Sequence, residues 1–210
     1  MKVILVHGFR KTYKDMQTIK IHLEKCGFTC YTPDLPLTFR EFDRAVPLLE
    51  KFIIDHLEEK ESFHLIGHST GGLVIRKLIS DGAYNNQVKR IILIATPNKG
   101  SYLAQLAHKF KWYTSIFKTL KSLTPEYIQS LNLQHDSNIE VGIIRGNLNN
   151  LLLGKFIKGE NDGRVELDSA HLATFKDELV LPYGHNDIHH MDDTINYIET
   201  FLKEGYFKSK

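Results

Sequence analysis

Apolar residues recur along this chain in two rhythms. Short, nearly unbroken apolar runs occur at 2–7 (KVILVH), 28–32 (FTCYT), 62–67 (SFHLIG), 89–95 (KRIILIA), 140–145 (EVGIIR) and 178–183 (ELVLPY). Continuous runs, as opposed to alternating ones, predict strands buried on both faces, which is the condition of a parallel sheet. Longer stretches between them carry apolar residues at helical spacing, near 13–26, 40–60, 71–82, 164–176 and 190–204. In the last of these Ile195, Ile198 and Leu202 share one face. Pro47 lies inside 40–60 and predicts a late start or a kink there. Strand–helix alternation with short connections predicts an α/β fold of about six mostly parallel strands with helices on both faces. Neither a repeat nor a linker breaks the pattern, so 1–210 reads as one domain.

One stretch departs from this alternation. Residues 98–137 are too long for a single crossover. Phe110, Trp112, Tyr113, Ile116, Phe117, Leu120 and Leu123 recur there at spacings of three and four, with Lys109, Lys111, Lys118 and Lys121 interleaved. That spacing predicts an apolar helical stripe. It fits a helix packed on the core, a cap or lid inserted over a pocket, or a basic amphipathic helix making weak contact with a membrane surface.

Composition narrows the classes. Apolar residues are 42% and charged residues 25% of the chain, values of a globular protein and not of a disordered one. The net charge of +2 gives no footprint for nucleic acid. No apolar run reaches the ~18 residues of a membrane span. The first residues read as a strand and not as a signal peptide, which makes the cytoplasm the expected location unless a leader has been removed. Cys26 and Cys30 are then expected as reduced thiols, and two cysteines without a second ligand pair argue against structural zinc.

Gly67-His68-Ser69-Thr70-Gly71-Gly72 contains G-x-S-x-G, directly after an apolar strand and directly before a helical run. A serine in so tight a turn is lifted clear of the sheet toward a helix N-terminus, and the close backbone demands glycine two positions to either side. Ser69 is therefore the candidate nucleophile. It needs a base oriented by a carboxylate, in the chain order serine, acid, histidine. Asp162 in the turn pair Asp162-Gly163 is the candidate acid. His185, just past the strand-breaking Gly184, is the candidate base, with His189 and His190 as competitors. The cluster His185, His189, His190, Asp192 and Asp193 has metal-ligand types without a ligand spacing motif, and the acyl-transfer reading requires neither metal nor cofactor. For a developing oxyanion, the N–H of Thr70 follows the nucleophile. A second N–H is expected from Phe9 after His7-Gly8, with Arg10 as the neighbouring alternative. Phe9, His68, Trp112 and Phe117 are the expected substrate contacts.

Together, His7-Gly8-Phe9, Gly67 to Gly72, Ala95-Thr96-Pro97 with Gly100-Ser101, Asn161 to Val165 with Ser169-Ala170, and Leu181 to Ile188 resemble the α/β-hydrolase superfamily. The likeness is to its small lipase and esterase branch. It covers nearly the whole chain and implies a minimal version that opens at the family's third strand. It implies a triad at Ser69, Asp162 and His185, oxyanion donors at Phe9 and Thr70, and hydrolysis of a small-molecule acyl ester. Thioesterase, amidase and lysophospholipase chemistry use the same triad, and a non-catalytic binding module could keep the same fold. The stretch 147–160 is longer than the resemblance requires and is expected as a hairpin or a pocket wall. The calcium site of some larger lipases finds no matching ligands.

Overall fold

The computed structural model describes residues 1–82 and 84–208. Its six strands are β1 (Lys2–Val6), β2 (Thr29–Tyr31), β3 (Phe63–His68), β4 (Val88–Ile94), β5 (Glu140–Gly146) and β6 (Asp177–Leu181). They pair in the order β2-β1-β3-β4-β5-β6, and every pairing is parallel. Successive residues of β1 serve opposite cores, as the period of two demands. Ile4 and Val6 face α2 (Val46–His56) and α3 (Thr70–Ser80), whereas Val3 and Leu5 face α1 (Gln17–Lys25) and α9 (Asp192–Glu204). Both faces are thus covered, which is why the strands read as continuous apolar runs.

Pro47 sits in the first turn of α2, where its missing N–H costs nothing. The helix accordingly begins at Val46, after a 3-10 turn at Phe42–Ala45. Gly205, with φ 82°, ends α9 in the left-handed conformation that favours glycine.

Two expectations need correction. The helix expected over 164–176 is reduced to α8 (Leu167–Ala170). Its upstream backbone is taken up by the Asn161–Glu166 bridge and by turns, and Lys176 N–H already bonds to Val141 at the start of β6. The single stripe expected in 98–137 is instead a chain of short helices: α4 (Tyr102–His108), α5 (Lys111–Ile116), α6 (Lys118–Lys121) and α7 (Pro125–Ser130). Phe110 and Phe117 adopt ψ 80° and 71°, values outside the helical range, so the apolar positions rotate out of register. Leu123 reaches the core while Trp112 stays 69% exposed.

The order of the strands locates the site. From β1 the chain steps outward to β2, then returns past β1 to β3 and onward to β6. The reversal lies between β1 and β3, so α1 and α3 leave on opposite faces and a crevice opens at the carboxyl ends of these two strands.

Candidate active site

Ser69 stands at the mouth of this crevice, between β3 and α3. Its φ of 54° and ψ of −124° are sparsely populated for a residue with a side chain, and its N–H is anchored to Ile94 O at 2.8 Å. The flanking glycines are required by contact. A Cβ on Gly71 would lie 2.3 Å from the Val6 carbonyl oxygen, and one on Gly67 would lie 2.5 Å from the Gly72 backbone. The tight turn presses α3 against the end of β1, and no side chain fits between.

Asp162 and His185 meet Ser69 from the far half of the sheet. Asp162 is 2% exposed, and its Oδ1 accepts N–H bonds from Arg164 (2.9 Å) and Val165 (2.8 Å). Its Oδ2 lies 2.7 Å from His185 Nδ1, and the His185 backbone N–H also donates to the Asp162 carbonyl at 2.8 Å. The buried carboxylate is therefore fully satisfied, and it fixes the imidazole with Nδ1–H toward itself. His185 Nε2, the remaining acceptor, is 3.0 Å from Ser69 Oγ. The structure thus brings together Ser69, Asp162 and His185. His189 and His190 are held elsewhere: His189 Nε2 is 3.0 Å from Asp15 Oδ2, and His190 Nδ1 is 3.3 Å from Thr18 Oγ1. The five-residue metal cluster weighed above does not assemble, since Asp193 accepts from Tyr183 OH at 2.8 Å and His185 is committed to Asp162.

Thr70 is the first residue of α3, so its N–H is one of those that no intrahelical carbonyl takes up. Arg10, also at positive φ, spends its N–H on Leu37 O at 3.3 Å, whereas Phe9 before it lines the crevice. Gly8 is small enough for this loop to touch the elbow: a Cβ there would lie 3.0 Å from Ser69 Cβ.

A cavity of about 250 Å³ opens beside Ser69, walled by Ala107, Tyr113, Leu120, Leu123, Leu153 and Val165. Phe9 and His68 line it as expected, whereas Trp112 and Phe117 do not. Trp112 points to solvent because α5 is broken off from the stripe. Phe117 lies behind the wall, edge-on to Phe9 at 6.2 Å and stacked on Phe39 at 5.9 Å. The lining residues from 98–137 that replace them, Tyr113 and Leu120, belong to the same apolar series. The breaks at Phe110 and Phe117 rotate these helices out of one stripe, and spacing alone does not reveal them. Leu153 makes 147–160 a pocket wall and not a hairpin, since the only regular element there is a 3-10 turn at Leu152–Phe156. Glu166 ties the acid loop to α4 by accepting the Tyr102 N–H at 2.9 Å. Burial, aided by the nearby Asp162 charge, pushes its carboxyl pKa up.

Behind the crevice His68 stacks on His189 at 3.7 Å. Burial pushes the pKa of both imidazoles down, that of His189 well below the usual value. Burial alone would raise Asp15, but the His189 hydrogen bond at 3.0 Å and the His190 and His68 imidazoles 3.6–3.7 Å away hold its carboxyl well below the ordinary range. Cys26 and Cys30 are both free thiols, and burial pushes Cys30 up to about 12.

A parallel sheet whose crevice opens at this switch point, under a strand–elbow–helix turn, defines an α/β-hydrolase. Within that superfamily the chain belongs to the PGAP1-like alpha/beta domain family, which it matches over residues 41–201. Among solved structures it resembles the mature form of the Bacillus licheniformis lipase BlEst2, with a TM-score of 0.77 and 19% identity over 96% of this chain and 90% of that one. The propeptide form of the same lipase gives a TM-score of 0.76 at 20% identity over 90% of this chain, which spans only 47% of that longer protein. Phospholipase PlaB from Legionella pneumophila is similar at a TM-score of 0.66 and 19% identity, covering 95% of this chain and 55% of that one. Identities this low show the fold alone. No curated protein matches the chain in sequence.

Proposed function

We propose that the chain is a serine hydrolase that cleaves carboxylic esters with an apolar acyl group. The observation that carries this reading is the unbroken line Asp162 Oδ2–His185 Nδ1 (2.7 Å) and His185 Nε2–Ser69 Oγ (3.0 Å), which ends beside an apolar cavity. Ser69 Oγ attacks the ester carbonyl while His185 Nε2 takes its proton. Asp162 holds the imidazole and stabilises its positive form. The N–H groups of Phe9 and Thr70 receive the oxyanion. His185 then protonates the leaving alcohol, and water completes deacylation through the same base. Residues 98–137 form a cap over the domain and supply the acyl wall through Tyr113 and Leu120. The lipase, esterase and phospholipase among the similar structures support an ester as substrate. Thioesters, amides and lysophospholipids share the chemistry and differ in how they fill the cavity. No helix among the described residues is long and apolar enough to cross a membrane. The two free cysteines suit a reducing compartment, and we place the activity in the cytoplasm.

A fluorophosphonate probe tests this reading. The expected result is a mass shift on Ser69 that is lost in His185→Ala and kept in His189→Ala. A folded wild-type protein that neither labels nor hydrolyses activated esters overturns it.

A further inference from the structure

Around the cavity mouth the chain carries cations without anions. Between Lys99 and Pro125 it has no aspartate or glutamate, and residues 147–159 have none either. Beyond Lys99 these stretches hold six lysines, all exposed: Lys109, Lys111, Lys118, Lys121, Lys155 and Lys158. Among the described residues none of the six forms an ion pair, whereas Lys2, Lys20, Lys51, Lys77 and Lys203 elsewhere each hold a carboxylate within 3.3 Å. The whole chain has a net charge of only +2, so the remainder of the molecule is net negative. Large apolar side chains stand exposed between these lysines: Phe110, Trp112 and Ile116, and, in the 3-10 turn after β5, Leu152 and Phe156. A ladder of rings joins them to the cavity lip. Trp112 meets Tyr113 at 5.7 Å, Tyr113 meets Phe117 at 4.8 Å, and Phe117 stacks on the exposed Phe39. Tyr113 lines the cavity, as does the half-exposed Leu153 beside Leu152. Arg10 covers the ladder with its guanidinium 5.5 Å from the Phe117 ring centre, and Thr119 Oγ1 donates to the Arg40 carbonyl at 2.6 Å, tying the Phe39 loop to α6.

We propose that this face docks on an anionic lipid bilayer, with Trp112, Phe39 and Leu152 at the depth of the headgroups and the six lysines on lipid phosphates. An exposed apolar patch rimmed by charge marks an interaction surface. Its composition selects the partner. The core of a protein interface is depleted of lysine, and two copies of this face would repel each other. A bilayer interface accommodates both kinds of side chain: aromatic rings settle among the headgroups, and lysine stems lie along apolar surface while their ammonium groups reach out to phosphate. The unpaired positive charge selects anionic over neutral lipid. No helix among the described residues is long and apolar enough to cross a membrane, so the contact is peripheral. Docked in this way, the cavity opens toward the acyl chains. The delivery of an acyl ester from the bilayer to Ser69 rests on the hydrolase reading, whereas the docking does not.

Trp112 is the single tryptophan of the chain, so its fluorescence reports on this face alone. The test uses Ser69→Ala, which leaves the lipid intact, and sediments it with vesicles of phosphatidylcholine alone or of phosphatidylcholine mixed with phosphatidylglycerol. Binding is expected only to the mixed vesicles. It is expected to fall steeply between about 0.1 M and about 1 M salt, as the Debye length shrinks from about 10 Å to about 3 Å. On binding, Trp112 emission is expected to shift to the blue and to be quenched by brominated acyl chains. Adding Lys109→Gln, Lys111→Gln, Lys118→Gln and Lys121→Gln together is expected to weaken binding on the order of 100-fold. Adding Lys60→Gln and Lys89→Gln, at the amino ends of β3 and β4 on the far edge of the sheet, is expected to leave it unchanged. The proposal is overturned if neither vesicle binds, if neutral and mixed vesicles bind alike, if the four-lysine variant binds undiminished, or if the protein sediments while Trp112 emission stays unmoved. It is also overturned if the free protein is a dimer whose Trp112 emission is already blue and insensitive to vesicles, since the face then belongs to a second copy. None of these readouts depends on hydrolysis, so the docking and the proposed activity stand or fall separately.

Discussion

The carboxyl edge of the sheet and the 98–137 segment both border the same cavity, yet they build it by different means. At the sheet edge, position is dictated by backbone: Ser69 by an elbow that needs glycine two positions to either side, Asp162 by two N–H donors, and His185 by a double tie to Asp162. In the 98–137 segment, position is dictated by side-chain packing between short helices, and a change of two dihedral angles decides which apolar residue faces inward. On the proposed reading the first region sets the chemistry and the second the shape of the acyl pocket, which is the usual division between a scaffold and the segments laid on it.

The sharpest way to break this comparison is at the elbow. Ser69→Ala is expected to lower ester hydrolysis on the order of 10⁴-fold or more with the melting temperature little changed. A stable variant that keeps a tenth of the activity would remove the sheet edge from the chemistry.

The sheet also excludes protons from its interior. Burial pushes His64 in β3 down to about 4 from its ordinary value of 6.5. Between these values the unfolded chain binds the extra proton and the folded chain does not. The contribution is therefore intact above pH 6.5 and is lost as the pH falls toward 4, on the order of 3 kcal/mol in all. Denaturant titrations across that range are expected to show a shallower acid loss for His64→Leu than for the wild type, and equal slopes would refute the assignment.

In the helical segment, Leu120→Trp is expected to fill the acyl wall. It raises KM for long-chain esters by about 10-fold or more, the scale of 1–3 kcal/mol for a mis-sized apolar pocket, while fluorophosphonate labelling of Ser69 persists. Equal loss on short and long esters would mean that this wall does not read the acyl chain. The smallest effect belongs to Trp112→Ala, at an exposed position outside the cavity, with a stability change within about 0.5 kcal/mol and unaltered chain-length preference. A clear loss of activity there would restore Trp112 to the substrate path.

The same contrast explains how far the sequence could be read. The strands were legible because burial on both faces leaves an unbroken apolar run, and Ser69 because its elbow needs glycines at fixed offsets. Asp162 and His185 followed from chain order and turn chemistry. What escaped was decided by through-space geometry. Phe117 and Tyr113 lie in one periodic series, and the breaks at Phe110 and Phe117 that separate them from one stripe leave no mark in the spacing. The 164–176 stretch has helical spacing, but its first residues are spent on the loop that shapes Asp162. Asp15 bears no motif at all, since its partners His68 and His189 stand 53 and 174 positions away.

The all-parallel sheet has a consequence for how the chain reaches this structure. Not one ladder in it is a hairpin: Lys2 pairs with Thr29 on one side and with Phe63 on the other, and Gly142 pairs with Asp177. Each ladder must close a loop of dozens of residues before it gains a bond, so contact order is high and acquisition of the native state is slow. Ser69 and His185 are separated by 116 positions, which makes their meeting a late event. Until then apolar edges stand open, and refolding yield is expected to fall as protein concentration rises.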